Sequence, residues 1–114
     1  MPNAQDALVA RLRAMLATQP TTREVPMFGG RSFMVDEQLT VSALKSGGLL
    51  VRIPPERHGE LTALPGVRQA EMGTGRSMGP SWIHVDAAVI ATDDGLGQWV
   101  GIALERNENA SQKK

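Results

Sequence analysis

The stretch REVPMFGGRSFMVDEQLTVSALKSGGLLVRI, residues 23–53, decides the fold of this chain, and the octapeptide MFGGRSFM at residues 27–34 is its most informative part. Short segments rich in β-branched or large apolar residues alternate here with glycine pairs or a polar triplet. The segments are residues 23–28, 31–35, 39–46 and 49–53, separated by Gly29-Gly30, Asp36-Glu37-Gln38 and Gly47-Gly48. Such runs, bounded by turn residues, predict four consecutive antiparallel strands.

Two local features give the expected geometry of these strands. Ser46-Gly47-Gly48-Leu49 predicts a two-residue hairpin turn of type I′, because both central residues need a positive φ that glycine adopts without a Cβ clash. Pro26 has no N–H to donate to a neighbouring strand. We therefore expect the first strand to lie at an edge of the sheet or to carry a bulge.

Helical periodicity precedes and follows these strands. A first helix is predicted over residues 4–18, with Asn3 as its N-cap and with apolar residues recurring on one face: Leu8, Val9, Leu12, Met15 and Leu16. A closing helix is predicted after an N-cap at Thr92 or Asp93, and its apolar face consists of Leu96, Trp99, Val100, Ala103 and Leu104. Trp99 is expected in the core.

The region between residues 54 and 91 is less regular. Pro55 can begin a short helix that reaches Leu64. Residues 67–72 and 81–85 predict two more strands, divided by the glycine-rich loop at residues 73–80.

No internal repeat or interdomain linker is present. The pattern therefore predicts one α+β domain over residues 1–106, built on an antiparallel sheet of about five to six strands. Residues 107–114 are polar and predict a disordered tail.

Composition excludes several classes of protein. Twelve Lys plus Arg balance twelve Asp plus Glu without a long block of either charge, which indicates no polyanion partner. The absence of Cys excludes disulfides, thiolate zinc sites, iron–sulfur clusters and a Cys nucleophile. No segment is apolar enough to span a bilayer, and the N-terminus lacks the order of a signal peptide. We expect a cytoplasmic protein that does not bind membranes.

The short motifs argue against an enzyme. Residues 75–79 match G-x-S-x-G, but a strand follows Ser77, and His84 precedes every later acid, so the hydrolase order of serine, acid and histidine cannot form. The same loop fails as a dinucleotide fingerprint, because Gly79 comes one position late and no helix follows. We predict no catalytic residue and no cofactor.

Two pairs of residues have spacing that resembles metal ligands, His58 with Glu60 and His84 with Asp86. Two ligands do not make a site, and the chain contains no Cys to add to them. Solvated or hydrogen-bonded histidines are the preferred interpretation, and no metal is predicted.

Arg52 is the central candidate for binding. Alternation along residues 49–53 points Arg52 away from the main core. One interpretation is a structural ion pair with Asp36, Glu37 or Glu71. The other is contact with an anion or acidic peptide, assisted by backbone N–H groups of the nearby glycine turn. The candidate binding residues are Phe28, Gly29, Gly30, Arg31, Arg52, Arg76 and Trp82, and Trp82 would anchor a partner if it is half exposed.

The same segments carry a resemblance to a known family. The features are the first helix, MFGG with its apolar strand, Leu49-Leu50-Val51-Arg52, Arg76-Ser77-Met78 before Trp82, and a closing helix with Trp99. With them the chain resembles the TfoX N-terminal domain family over nearly its whole length. The resemblance implies a fold like that of secretion chaperones, with helices on one side of an antiparallel sheet, and it carries over no catalytic residues.

The family includes bacterial competence regulators that carry a second, C-terminal domain, as well as short single-domain members. We expect a short member that acts as a non-enzymatic binding or regulatory module, through protein contacts or homodimerisation. Two alternatives stay open: a nucleic-acid-associated regulator of transcription or competence, and a small enzyme whose site is assembled in a dimer. The expected partner is a protein, including a second copy, and tight direct binding of nucleic acid is not expected.

Overall fold

A computed structural model describes residues 4–17, 19, 22–27, 30–36, 38–71 and 76–112, with side chains for all of these except Met27 and residues 107–112. The elements in chain order are α1 (Ala4–Met15), β1 (Arg23–Met27), β2 (Gly30–Val35), β3 (Gln38–Ala43), β4 (Leu49–Arg52), a 3-10 turn (Pro55–Arg57), α2 (His58–Thr62), β5 (Val67–Gln69), β6 (Trp82–Val85) and α3 (Asp93–Gln112). The predicted N-cap Asn3 lies outside the described residues.

The six strands form one antiparallel sheet in the order β1-β2-β3-β4-β6-β5. The predicted α+β class and antiparallel sheet are therefore confirmed. β1 lies at an edge, as predicted from Pro26, because a residue without an N–H can occupy a strand whose outer side has no neighbour. The likeness to secretion chaperones stays a prediction.

The main core lies between one face of the sheet and the helices α1 and α3. Phe33, Val41 and Val51 from three adjacent strands are completely buried there. Leu12 of α1 and Leu96 of α3 meet them with no exposed surface. Burying a side chain of this size stabilises the fold by about 1.5–3 kcal/mol, so this layer holds the sheet and helices together.

Trp99 also belongs to the main core, as predicted, with 5% of its surface exposed.

The helix α1 contacts the edge strand β1 through Arg13, which donates two hydrogen bonds to Glu24 at 2.7 and 2.9 Å. This pair lies on the same side of the sheet as the helices.

The hairpin between β3 and β4 differs from its prediction. Of the two glycines in this turn, only Gly47 has a positive φ, 89°, so the connection is not a two-residue type I′ turn. The Gly47 N–H donates to Leu44 O, and the Leu44 N–H donates to Gly48 O, which closes a three-residue loop. A Cβ at Gly48 would lie 2.6 Å from His84 Nε2, so a larger residue there would require the His84 side chain to move.

The closing helix begins at Asp93, and Thr92 is its cap, since the Gly95 N–H donates to Thr92 Oγ1 at 3.1 Å. The helix continues to Gln112, beyond the predicted domain boundary at residue 106. The physical reason is cooperativity: once the packed half of α3 has formed, each further residue adds one hydrogen bond without a new nucleus.

Candidate functional site

The sheet has a second face, by which we mean the face opposite α1 and α3. Leu50 and Arg52 point to it, because their neighbours Leu49 and Val51 point into the main core. The strand register places Trp82 of β6 directly beside Arg52. The predicted direction of Arg52 is therefore confirmed by the fold.

A β-bulge changes which side chains reach the second face. The pairing of β2 with β3 shifts between Phe33 and Met34, so Phe33 pairs with Val41 whereas Met34 pairs with Leu39. The extra residue, Thr40, bends β3 and turns Leu39 to the second face. No feature of the sequence showed this shift.

A small apolar cluster covers part of the second face. Its buried members are Leu50, Ala70 and Trp82, and partly buried residues packed against them are Leu39, Leu44 and Met78. Trp82 is only 8% exposed, so the half exposure on which its role as an anchor depends is not observed. The chain after β5 explains this burial, because the Met78 N–H donates to Ala70 O at 2.9 Å and folds Met78 back over the cluster.

Gln69, a residue that the sequence analysis did not single out, holds the chain between β5 and β6 in this position. Its Nε2 donates to Ala70 O and Gly79 O, each at 2.9 Å. Because the amide nitrogen faces these carbonyls, Oε1 is left to accept from His58 Nε2 at 2.6 Å. Sequence offered no signal for Gln69, since two of its partners, His58 and Gly79, lie on separate segments.

Arg52 has an unusual environment on this face. Its guanidinium carbon lies 6.0 Å from the centroid of the Trp82 ring, at the outer limit of a cation–π contact. Its Nε is buried and has no hydrogen-bond partner among the residues that the structure describes. A buried donor without an acceptor costs free energy in the isolated protein, which makes this nitrogen a candidate for binding a ligand.

The electrostatics of Arg52 are also unfavourable. Burial lowers the pKa of the Arg52 guanidinium, and the positive charge of Arg106 lowers it further. Arg106 belongs to α3, and its Nη1 donates to Gln38 Oε1 at 2.9 Å at the start of β3. Because β3 begins at the end of the sheet where β4 finishes, Arg106 and Arg52 lie at the same end of the sheet, Arg106 on the helix side with Gln38 and Arg52 on the second face.

The first interpretation of Arg52, a structural ion pair, has no support from the described residues. Neither Asp36 nor Glu71 lies within 4.0 Å of its guanidinium nitrogens. Glu37 lies outside the described residues. The second interpretation, contact with an anion or an acidic peptide, therefore keeps its physical basis.

The remaining charges on the second face are mostly positive. By strand alternation, Arg23 and Arg68 occupy second-face positions together with the half-buried His84, whose pKa is lowered by burial, and in the described strands no carboxylate does so. Asp86, just after β6, neutralises part of this charge by pairing with Arg68 at 3.0 Å. The same carboxylate lies 3.8 Å from His84 Nδ1.

The structure does not bring together all the residues predicted to bind. Arg31 pairs in register with Ala43 of the main core and therefore lies on the helix side, where its charge lowers the pKa of Glu24 after the larger effect of Arg13. Arg76 is exposed. Phe28 and Gly29 lie outside the described residues.

Gly30, the remaining predicted site residue, has a structural role. A Cβ at Gly30 would lie 2.4 Å from Ala43 O, so glycine is required where β2 passes close to β3. Of the predicted set, Arg52 and Trp82 form a contact with each other, while Arg31 is separated from them by the sheet.

The motifs that resembled catalytic or metal sites take structural positions. Ser77 Oγ accepts a hydrogen bond from the Gly79 N–H, which is a local turn interaction. In the part of the chain that the structure describes, no group of three or more His, Asp or Glu side chains is placed to hold a metal ion. None of the described helices combines the length and apolarity needed to cross a membrane.

Comparison with known proteins gives one finding. The family model described as the TfoX N-terminal domain matches residues 14–106 of the 114-residue chain. No curated protein and no solved structure matches the chain.

Proposed function

The chain belongs to the TfoX N-terminal domain family, and from this premise we propose that it is a cytoplasmic, non-enzymatic regulatory module whose second sheet face binds an acidic segment of a partner protein. The observation that carries the proposal is Arg52, a half-buried cation with an unpartnered Nε and no carboxylate nearby among the described residues. An acidic side chain from a partner would supply the missing acceptor and counter-charge together.

Charge supports an acidic partner better than an apolar one. Among the described residues, Leu64 is the one large apolar side chain that is exposed, and it lies just after α2. A surface without an exposed apolar patch cannot gain much from hydrophobic docking. The second face instead offers arginines, and Arg is enriched at residues that dominate binding energy.

Balanced net charge supports a protein rather than a nucleic acid as the partner. The whole chain carries equal numbers of acidic and basic residues, so it has no general attraction for a polyanion. Arg68 is paired with Asp86, which leaves a local positive patch rather than an extended basic stripe. A local patch suits a short acidic protein segment.

A titration with a defined probe tests this proposal. We expect a short Glu-rich peptide to shift the backbone NMR signals of β4 and β6, whereas a peptide with Gln in place of every Glu leaves them unchanged. Arg52→Ala should weaken binding about tenfold, the loss of about 1.4 kcal/mol expected for a charge-assisted hydrogen bond. Arg57→Ala is the matched control, since Arg57 is paired with Glu60 beside α2, outside the sheet.

Four results would contradict the proposal. The first is no binding of the Glu-rich peptide by the wild-type protein. The second is binding that Arg52→Ala leaves unchanged. The third is tighter binding of duplex DNA than of the peptide, which would favour a nucleic-acid-associated regulator. Peptide-induced signals confined to the helices would likewise place the site elsewhere.

A further inference from the structure

Arg68 and Asp86 form an ion pair on the second face of the sheet. Arg68 is the middle residue of β5, and it points to this face because its neighbour Val67 points into the main core. Its Nη1 lies 3.0 Å from Asp86 Oδ1, just after the end of β6. The side chains are 64% and 39% exposed, so the pair contributes little to stability and remains accessible to a partner.

Strand order and register fix the position of Arg68 relative to Arg52. β6 lies between β4 and β5, with Arg52 beside Trp82 and Arg68 beside His84, two residues further along β6. The usual strand spacing and rise put the Cα atoms of the two arginines about 12 Å apart, about 10 Å across the sheet and about 7 Å along it. Both arginines therefore lie on one face, with Trp82 and His84 between them.

The backbone holds Asp86 beside Arg68. The Asp86 N–H donates to Gly66 O at 2.8 Å, immediately before β5 begins. Because Asp86 belongs to the same chain, its carboxylate competes at high effective concentration with any carboxylate that approaches Arg68. An exposed ion pair is weak, however, so a partner's carboxylate can replace Asp86 at little cost.

We infer that Arg68 is a second contact for the acidic segment and that Asp86 is its internal competitor. One carboxylate of the partner displaces Asp86 from Arg68 while another binds Arg52. The segment then carries two acidic residues about 12 Å apart, close to the span of four residues of an extended chain. This inference rests on the proposed function and adds the spacing of the acidic residues and the group that competes with them.

The probe is a peptide with blocked ends and two Glu residues separated by three neutral residues. We expect Asp86→Asn to strengthen its binding about twofold to fivefold, the change that corresponds to an exposed ion pair. In the Arg68→Ala background the same substitution should leave the dissociation constant unchanged, because it releases no guanidinium. Isothermal titration calorimetry measures these constants. The NMR signals of the Nε–H groups of both Arg52 and Arg68 should shift on binding.

Glu105→Gln is the matched control. It removes one negative charge from an exposed position of α3, on the helix side of the sheet. At matched ionic strength it should leave the affinity for the probe unchanged. Circular dichroism melting curves should show that the Asp86 and Arg68 variants remain folded, since neither side chain is buried.

The outcomes distinguish this inference from the proposed function. If the probe binds in an Arg52-dependent way while Asp86→Asn gives no gain, the competitor role is wrong and the acidic-segment proposal stands. A gain that persists in the Arg68→Ala background, or that Glu105→Gln reproduces, would show general charge repulsion and overturn the contact at Arg68. If the wild-type protein does not bind the probe, or binds it independently of Arg52, the proposed function and this inference are both wrong.

Discussion

At the scale of single residues, the most informative positions are those whose side chains the fold leaves unsatisfied. Arg52 has a buried Nε without an acceptor, and both burial and Arg106 lower the pKa of its guanidinium. A buried polar residue whose role is to stabilise the fold is expected to have its hydrogen-bond donors and acceptors paired. This unmet donor is the observation on which the proposed contact with a partner rests.

The variant Arg52→Met tests whether Arg52 contributes to the stability of the fold. We expect the free energy of unfolding to stay within about 1 kcal/mol of the wild-type value or to rise, because methionine keeps apolar contact with Trp82 and removes a desolvated charge. Chemical denaturation measures the difference. Trp99→Ala is the comparison, with an expected loss of about 3–5 kcal/mol from the main core. A loss of that size in Arg52→Met would make Arg52 a structural residue.

His84 gives a prediction about pH. Burial lowers the pKa of its imidazole, Arg68 lowers it further, and Asp86 acts in the opposite direction. Since the folded pKa lies below the ordinary value of 6.5, the unfolded state binds the proton more readily. Above pH 6.5 the effect is absent, and stability falls as the pH decreases through 6.5 towards the folded pKa.

His84→Gln should remove this contribution. We expect the melting temperature of the wild-type protein to decrease more than that of the variant between about pH 7.5 and pH 5.5, the window in which a histidine with a lowered pKa titrates. Thermal melts at matched ionic strength measure the two slopes. Equal slopes would show that His84 is protonated equally easily in the folded and unfolded states.

At the scale of elements, the helix α3 and the bulged strand β3 determine which distant side chains meet at the start of β3. The bulge at Thr40 turns Leu39 towards Trp82, and the length of α3 carries Arg106 to the start of β3. Both elements were predicted, but the bulge and the reach of the helix were not. Small changes in either element should change these contacts without changing the fold.

The glycines of α3 provide a matched pair for testing its packing. A Cβ at Gly101 meets no atom within 4 Å, whereas a Cβ at Gly95 would lie 2.6 Å from Val89 O. We expect Gly101→Ala to stabilise the protein by about 0.5–1 kcal/mol, because alanine favours the helix. Gly95→Ala should destabilise it, since a backbone carbonyl cannot easily move. Denaturant titrations of both variants check this, and equal changes would contradict it.

At the scale of the whole molecule, charge is balanced overall but unevenly placed. Equal totals of acidic and basic residues give no net attraction for polyanions, while the second face holds arginines at its strand positions. The helix side contains Glu24 between Arg13 and Arg31. This arrangement favours a local contact with an acidic group over a general affinity for nucleic acid.

The corresponding prediction concerns DNA. We expect duplex DNA to bind with a dissociation constant of about 10⁻⁴ M or weaker at physiological salt, the range typical of non-specific binding. Fluorescence anisotropy of a labelled duplex measures this constant. Submicromolar binding that weakens steeply with added salt would favour the nucleic-acid alternative.

The local part of the fold could be predicted from sequence because it depends on neighbouring residues. Periodicities of two and of about 3.6 residues located the strands and the terminal helices, Pro26 indicated an edge strand, and alternation gave the direction of Arg52. The glycine pair at 47–48 located a hairpin but gave the wrong turn type. The close approach of His84 to Gly48 comes from another strand.

The sequence by itself thus determined the α+β class, the antiparallel strands, the core position of Trp99 and the family resemblance. Only the tertiary structure decided that Trp82 is buried, that Arg31 and Arg52 lie on opposite faces, and that Arg106 reaches Gln38 at the start of β3. The physical reason is the short range of the sequence pattern. Periodicity reports only which side of one element a residue occupies. Strand order, a bulge and helix length decide which distant side chains meet.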